Sequence, residues 1–138
     1  MFFQICFEHL YYQKLLHWAA IIDQIQIALL LIQNGAYVNA KTNQGFTPLL
    51  CASIDGHVDI LHLLVEKGAD LEAQEHYERR ALHWAAILGH LPIIQELVSR
   101  YHVNINASIR AWTALGISRQ ENYPQVIAFL LEKNGGIE

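Results

Sequence analysis

Apolar residues recur along the chain in blocks that short polar or glycine-containing segments separate. One leucine recurs at intervals of 33 residues, as Leu16, Leu49, Leu82 and Leu115. A small pair, a turn and a second apolar segment follow each leucine, and the second segments are 25–32, 58–65, 91–98 and 124–131. Self-similarity at a fixed period of this length is typical of repeat architectures. The pattern therefore predicts four copies of one supersecondary unit.

The segment from residue 45 to residue 68 shows what one unit contains. Thr47 and Pro48 are expected to begin a helix, because threonine is a good N-cap and proline is tolerated in the first turn. Gly56 is expected to end that helix through its access to positive φ, and a second helix begins near Val58 and ends at Gly68. The unit is thus a helix pair followed by an extended finger. A pair this short cannot bury its own apolar face, whereas stacked copies can.

The segment GFTPLLCASIDGHVDILHLLVEKGADLEA, residues 45–73, resembles an ankyrin repeat at many positions in a fixed register. The resemblance covers four units near 9–41, 42–74, 75–107 and 108–137, within a single domain of residues 1–138, and residues 1–8 have the register of a preceding finger. It implies an all-α ankyrin-repeat solenoid of helix-turn-helix units with projecting hairpin fingers. The third unit has one extra residue before Asn106, and the loop that follows is one residue shorter.

The first and fourth units depart most from the family pattern. The first has Lys14-Leu15 in place of Thr-Pro and Asp23-Gln24 in place of Gly-His, and the fourth has Gly116 in place of the family histidine. We expect these two units to be the least stable. Leu29 lies at a position that usually faces solvent in the family, so either a partner covers this apolar N-terminal face or the chain is a fragment of a longer array.

Composition and charge exclude several classes of protein. The chain is 53% hydrophobic and 16% charged, with a net charge of −4, which disfavours disorder and a dedicated nucleic-acid-binding protein. The apolar N-terminus is too short to span a bilayer and lacks the features of a signal peptide. Cys6 and Cys51 have no metal-binding spacing, and Cys51 is expected to be a buried free thiol. These features favour a reducing intracellular compartment, the cytoplasm or the nucleus, and no membrane insertion.

The histidines and acids are interpreted as structural or surface residues. The resemblance implies that His17 and His83 bond backbone groups between repeats, and that His57 and His90 belong to the Gly-His turns. The other histidines lack metal-ligand spacing, and no nucleophile or phosphate-binding motif is present. The acids, Glu75 among them, are expected to be solvated. We therefore predict no catalytic residue, no cofactor and no metal, and a structural set comprising Leu16, His17, Leu49, Gly56, Leu82, His83, Gly89 and Leu115.

The resemblance implies that finger tips and the ends of the first helices form a concave binding surface. The positions that match are Asn43, Gln44, Phe46, Ile54, Asp55, His76, Tyr77, Arg79, Ile87, Leu88, Ile109, Arg110, Trp112, Gln120 and Glu121. Large aromatic residues and arginine often anchor protein interfaces, and an exposed apolar row is unusual in a monomer without partners. We expect Phe46, Tyr77, Ile87, Leu88 and Trp112 to form such a row. The predicted function is non-catalytic protein–protein interaction through the groove and finger tips.

Several alternatives remain open. In one alternative, the chain is a targeting fragment of a larger ankyrin-containing enzyme or effector. In another alternative, it oligomerises through the apolar N-terminal face. Tyr77, Trp112 and Trp84, near Glu121, could form an aromatic cage for a methylated lysine by cation–π attraction. Trp84 and its counterpart Trp18 are otherwise expected to pack in or beside the core. Asn39 is either a substrate of an asparaginyl hydroxylase or a residue that stabilises its turn.

Overall fold

The computed structural model describes residues 14–134 as a stack of helix pairs, and the segment 1–8 with Cys6 lies outside them. The helices are residues 14–21 (α1), Ile25–Gln33 (α2), Pro48–Asp55 (α3), Val58–Glu66 (α4), Ala81–Leu88 (α5), Leu91–Gln95 (α6), Ala114–Glu121 (α7) and Pro124–Lys133 (α8). A π-helical turn, Glu96–Arg100, continues α6. Strands Ser108–Ile109 (β1) and Trp112–Thr113 (β2) form an antiparallel hairpin. The predicted all-α repeat solenoid is confirmed.

Two helical layers enclose the core. The first helices pack against one another, with α5 between α3 and α7, while α2 contacts α4 and α6 contacts α8 in the outer layer. The four leucines of the repeat are all buried, from Leu16 in α1 to Leu115 in α7. Each lies on the side of a first helix that faces its neighbours, so apolar burial between units holds the stack together.

The first helices end in a residue of positive φ in all four units, and two of them also begin at a threonine cap. Thr47 and Thr113 cap α3 and α7, each accepting a hydrogen bond from a backbone N–H three residues later at 3.3 Å. Gly56 and Gly89 adopt left-handed conformations after α3 and α5, as predicted. The corresponding residues in the first and fourth units, Asp23 and Asn122, adopt positive φ angles of 56° and 61° without being glycine.

The extra residue of the third unit lies within its second helix. The π-helical turn Glu96–Arg100 absorbs one residue, because each of its hydrogen bonds spans one residue more than an α-helical bond. The helix ends at Arg100, and the φ of 54° at His102 replaces the positive φ of Gly68 in the unit before. The next finger is shorter, since Arg110 and Ala111 form a two-residue turn with φ angles of 47° and 72°. The insertion and the shortening cancel, which returns α7 to the repeat register.

Side chains at one register bond the second, third and fourth units to the unit before. His57 Nδ1 lies 3.1 Å from the carbonyl oxygen of Ala20, and His90 Nε2 lies 2.7 Å from that of Ile54. In the fourth unit the Tyr123 hydroxyl takes over this role and donates to a carbonyl oxygen of the third unit at 3.2 Å. The structural interpretation of His57 and His90 agrees with these contacts.

The two histidines within the first helices bond the fingers that follow them. His17 Nε2 lies 3.0 Å from the carbonyl oxygen of Ala40, and His83 Nε2 lies 2.9 Å from that of Ala107. The Arg80 backbone N–H donates to His83 Nδ1 at 3.1 Å, so both ring nitrogens of His83 are used. Burial lowers the pKa of His83 below its ordinary value, and the neutral ring is therefore the one the fold accommodates.

The first unit exposes apolar residues, but not the one expected. Leu29 is half-buried, whereas Ile22, Ile27 and Leu30 are exposed. Leu29 lies on the same face of α2 as the half-buried Ile25 and Ile32, which are four residues before it and three residues after it. No helix among residues 14–134 is long and apolar enough to cross a membrane.

Candidate partner-binding groove

The predicted surface residues lie on three fingers and at the ends of α3, α5 and α7. Ten are exposed: Asn43, Gln44, Asp55, His76, Tyr77, Leu88, Arg110, Trp112, Gln120 and Glu121. Five are half-buried: Phe46, Ile54, Arg79, Ile87 and Ile109. In the predicted apolar row, Tyr77, Leu88 and Trp112 expose 68%, 40% and 49% of their surface. The expectation of an exposed row is wrong for Ile87 and for Phe46, whose ring packs 5.9 Å from that of Trp84.

An internal ion pair fixes the second finger, residues 75–79. Glu75 is buried, contrary to the expectation of a solvated acid, because its carboxylate accepts from both the backbone N–H and Nε of Arg79 at 3.0 Å. Burial alone would raise the pKa of Glu75, but these hydrogen bonds outweigh it and the pKa lies below its ordinary value. The finger is thus closed by a charged pair that stays ionised at neutral pH.

The guanidinium of Arg79 also contacts two aromatic rings. Its central carbon lies 4.1 Å from the ring centre of Trp84 and 5.1 Å from that of Tyr77. A cation from the chain itself therefore already faces two of the three rings proposed for a methyl-lysine cage, which argues against that alternative. Trp84 is half-buried as expected, whereas Trp18 is 60% exposed and does not pack in the core.

Two adjacent depressions lie between the second finger and the fourth unit. They share Arg79, Ile109 and Arg110, and their volumes are about 330 Å³ and 310 Å³. The larger one also contacts Trp112 and Glu121, whereas Tyr77 lines the smaller. We call this surface the finger groove and define it by Tyr77, Arg79, Ile109, Arg110, Trp112 and Glu121. It joins apolar surface to two guanidinium groups in one concave region.

Comparison with known proteins assigns the chain to a family. A family model described as "Ankyrin repeats (3 copies)" matches residues 4–75 and again residues 72–138. The chain belongs to the ankyrin repeat family. Ankyrin repeats are generally protein–protein interaction modules, and domains built from them are typically non-catalytic. A search of curated proteins finds no match.

Asn39 of this ankyrin array connects two neighbouring units. Its side-chain Nδ2 donates to the carbonyl oxygen of Gly68 at 3.1 Å, and its Oδ1 accepts from the backbone N–H of Asp70 at 2.7 Å. Both partners belong to the segment that leaves α4. The contacts join two units, and the stabilisation of its own turn by Asn39 stays a prediction.

A polar cluster on the outer layer escaped the sequence reasoning. His62 Nε2 lies 3.3 Å from Glu96 Oε2, while His62 Nδ1 and the Tyr101 hydroxyl share a short hydrogen bond. Burial raises the pKa of Tyr101, so the hydroxyl remains a donor at neutral pH. The cluster ties the π-helical turn to α4. The repeat pattern could not reveal it, because the inserted residue gives Tyr101 a place that the other units lack.

Metal and thiol chemistry find little support in the part of the chain that the structure describes. No group of three or more His, Cys, Asp or Glu residues is placed to hold a metal ion there. Cys51 is a buried free thiol, as expected. Burial, together with the negative charge of Asp55, raises its pKa to about 11. A thiol with such a pKa is protonated at neutral pH and is a poor nucleophile.

Proposed function

We propose that this ankyrin array is a non-catalytic module that binds a protein partner through the finger groove and the neighbouring finger tips. The observation that carries the proposal is that the exposed Tyr77 and Trp112 line adjoining depressions together with Arg79 and Arg110. Leu88 is also exposed, at the end of α5. Aromatic residues and arginine contribute most to the binding energy of protein interfaces. Burial of these side chains by a partner would remove a large apolar area from water.

The construction of the groove supports binding with a low entropic cost. The Glu75–Arg79 pair closes the second finger, and backbone pairing between β1 and β2 closes the third. Arg79 is further held by the rings of Trp84 and Tyr77. Because these groups are already ordered in the free protein, a partner has little chain to fix on binding.

The proposal is tested by affinity capture from cell extract with a Tyr77→Ala/Trp112→Ala double variant. We expect the wild type to retain a partner that the double variant loses. A Tyr37→Ala/Leu30→Ala variant is the matched control, because it removes two exposed apolar side chains from the first unit instead. Circular dichroism melts must show all three proteins folded. Loss of the partner with the control pair, and not with the groove pair, would contradict the proposal.

Other properties are part of the same proposal. We assign residues 1–138 to one domain with units near 9–41, 42–74, 75–107 and 108–137, acting as a monomer in the cytoplasm or nucleus without a cofactor. The exposed Ile22, Ile27 and Leu30 favour one competing function, oligomerisation through the first unit. Sedimentation velocity distinguishes a monomer from an oligomer. A wild-type dimer that the Leu30→Glu substitution dissociates would establish oligomerisation through the first unit. A function as the targeting part of a larger enzyme or effector would use the same groove.

A further inference from the structure

We propose that the finger groove binds an extended segment of the partner in which one acidic residue, bound at Arg110, is flanked by an apolar residue. This inference rests on the proposed function and specifies the chemistry of the partner. Two guanidinium groups line both depressions of the groove, those of Arg79 and Arg110. The two differ in how much of their hydrogen-bonding capacity the protein already uses.

Arg110 is the cation that remains available to a partner. Arg79 gives Nε and Nη2 to Glu75, at 3.0 and 3.4 Å, and stacks on two rings. The side chain of Arg110 is exposed and makes no hydrogen bond or ion pair within residues 14–134. A guanidinium binds a carboxylate through two parallel N–H donors, so an aspartate or glutamate side chain is the group that fits it.

The turn beneath Arg110 holds this side chain at the finger tip. Two-residue hairpin turns of this kind favour Asn-Gly, because both central residues have positive φ. Here Arg110 and Ala111 take φ angles of 47° and 72° without a glycine. Non-glycine residues in this region carry conformational strain, and such strain is concentrated at functional sites. The turn therefore keeps a strained backbone conformation at Arg110, whose side chain has no hydrogen-bonding partner among the described residues.

The surface of the groove beside Arg110, which we call its floor, is apolar, and it depends on a glycine that departs from the repeat pattern. Gly116 replaces the family histidine, and a Cβ at this position would lie 3.2 Å from the indole of Trp112. The glycine thus leaves room for the indole to lie against α7. Trp112 then borders the larger depression together with Ile109 and Ile117. An aliphatic or aromatic side chain next to the acidic residue would bury against this floor.

The acids around the groove restrict where the partner's acid can lie. Glu75 is neutralised by Arg79, whereas Glu121 lines the larger depression from the C-terminal end of α7, the end that is farther from the finger along the helix. Glu78 is exposed in the turn of the neighbouring finger. A second acidic residue near Glu121 would be repelled, so we expect a single acid at the finger end of the bound segment.

A selection from a displayed library of random dodecapeptides tests this inference. The wild type is expected to enrich peptides with one Asp or Glu next to an aliphatic or aromatic residue. The charge-reversed Arg110→Glu variant is expected to enrich Lys or Arg at that place. A synthetic peptide chosen on the wild type should bind Arg110→Gln roughly tenfold to a hundredfold more weakly, as for loss of a charged hydrogen-bonding partner. Arg110→Lys should recover part of the affinity, and added salt should weaken binding to the wild type.

The control is Arg100→Gln, which makes the same change on the outer layer and should leave peptide affinity unchanged. Peptides without an acidic preference, an acidic preference that Arg110→Glu leaves unaltered, or no enriched peptide would each overturn the inference. Peptides that require Tyr77 and Trp112 but no acid would overturn it while leaving the proposed function intact. Capture from extract that ignores both aromatic residues would instead contradict the proposed function.

Discussion

The third and fourth units share one helix-pair architecture but differ in whether the arginine of the finger is paired within the protein. In the third unit, Glu75 and Arg79 pair with each other and His83 uses both ring nitrogens. In the fourth unit, Gly116 replaces the histidine and Arg110 stands exposed at the finger tip. The comparison shows that Glu75 and Arg79 stabilise their own finger, whereas Arg110 on the next finger remains exposed to solvent. The finger groove at the junction of the two units is therefore lined by one finger that an ion pair holds in place and by the exposed guanidinium of Arg110.

The largest expected difference between the two units concerns the repeated leucine. Leu82→Ala should lower the free energy of unfolding by about 2–5 kcal/mol, because it leaves a cavity in a buried site. Leu115 is slightly more exposed, at 9% against 3%. Leu115→Ala should therefore fall at the lower end of the same range. Chemical denaturation of both variants measures the difference, and a larger loss with Leu115→Ala would reverse the order of stability assigned to the two units.

The next prediction concerns the two fingers. Glu75→Gln should cost about 1–3 kcal/mol of stability, because it removes a buried hydrogen-bonded charge from beneath Arg79. Arg110→Gln should change stability by about 0.5 kcal/mol or less, as is usual for an exposed side chain without internal partners. Thermal melts of the two variants compare them directly. Equal shifts in melting temperature would show that Glu75 does not stabilise its finger more than Arg110 stabilises the next one.

Acid should destabilise the third unit through His83. An unfolded histidine takes up a proton near its ordinary pKa of 6.5, while buried His83 takes one up only at lower pH. Stability is therefore complete above pH 6.5 and declines as the pH falls toward the lowered pKa. Glu75, whose pKa is also lowered, adds a second decline below its ordinary value of 4.5.

A variant isolates the contribution of His83 to this pH dependence. The free energy of unfolding of His83→Gln, measured by denaturation between pH 7 and pH 5, should fall less steeply than that of the wild type. Its absolute stability is not the readout, because the substitution also changes hydrogen bonds. An identical slope in both proteins would mean that protonation of other groups dominates in this range.

The smallest expected effect lies at the end of α7. Asn122 holds a φ of 61° where Gly89 occupies the equivalent place in the third unit. Asn122→Gly should raise the free energy of unfolding by a few tenths to about 1 kcal/mol, since glycine adopts this conformation without steric strain. A small rise in melting temperature would confirm this. A fall would show that the asparagine makes a contribution that its backbone geometry does not reveal.

The sequence predicted the helix pairs, their caps and their glycine ends because these depend on local chemistry and one repeated spacing. Thr47, Gly56 and Gly89 behave as expected for that reason. The sequence showed that the third unit has one extra residue, but it did not show that this residue lies within the second helix. A π-helical turn takes up the residue while the apolar positions before and after the turn stay buried.

The features that the sequence could not predict depend on how each finger folds and on contacts between units. Glu75 is buried only because the finger folds its charge onto Arg79. Trp84 contacts Phe46 and Arg79, whereas Trp18, at the same register, is 60% exposed. Equal register therefore did not give equal burial. The candidate site residues followed from resemblance alone, and the placement of Arg110 on a strained turn came only from the structure.

The most direct test of the groove is site-specific photo-crosslinking in cells. A photo-reactive amino acid in place of Leu88 lies on the proposed binding side, and the same residue in place of Leu30 lies on the exposed face of the first unit. We predict a crosslinked partner from position 88 and none of comparable yield from position 30. A partner crosslinked only from position 30 would contradict the account and make the first unit the interaction surface.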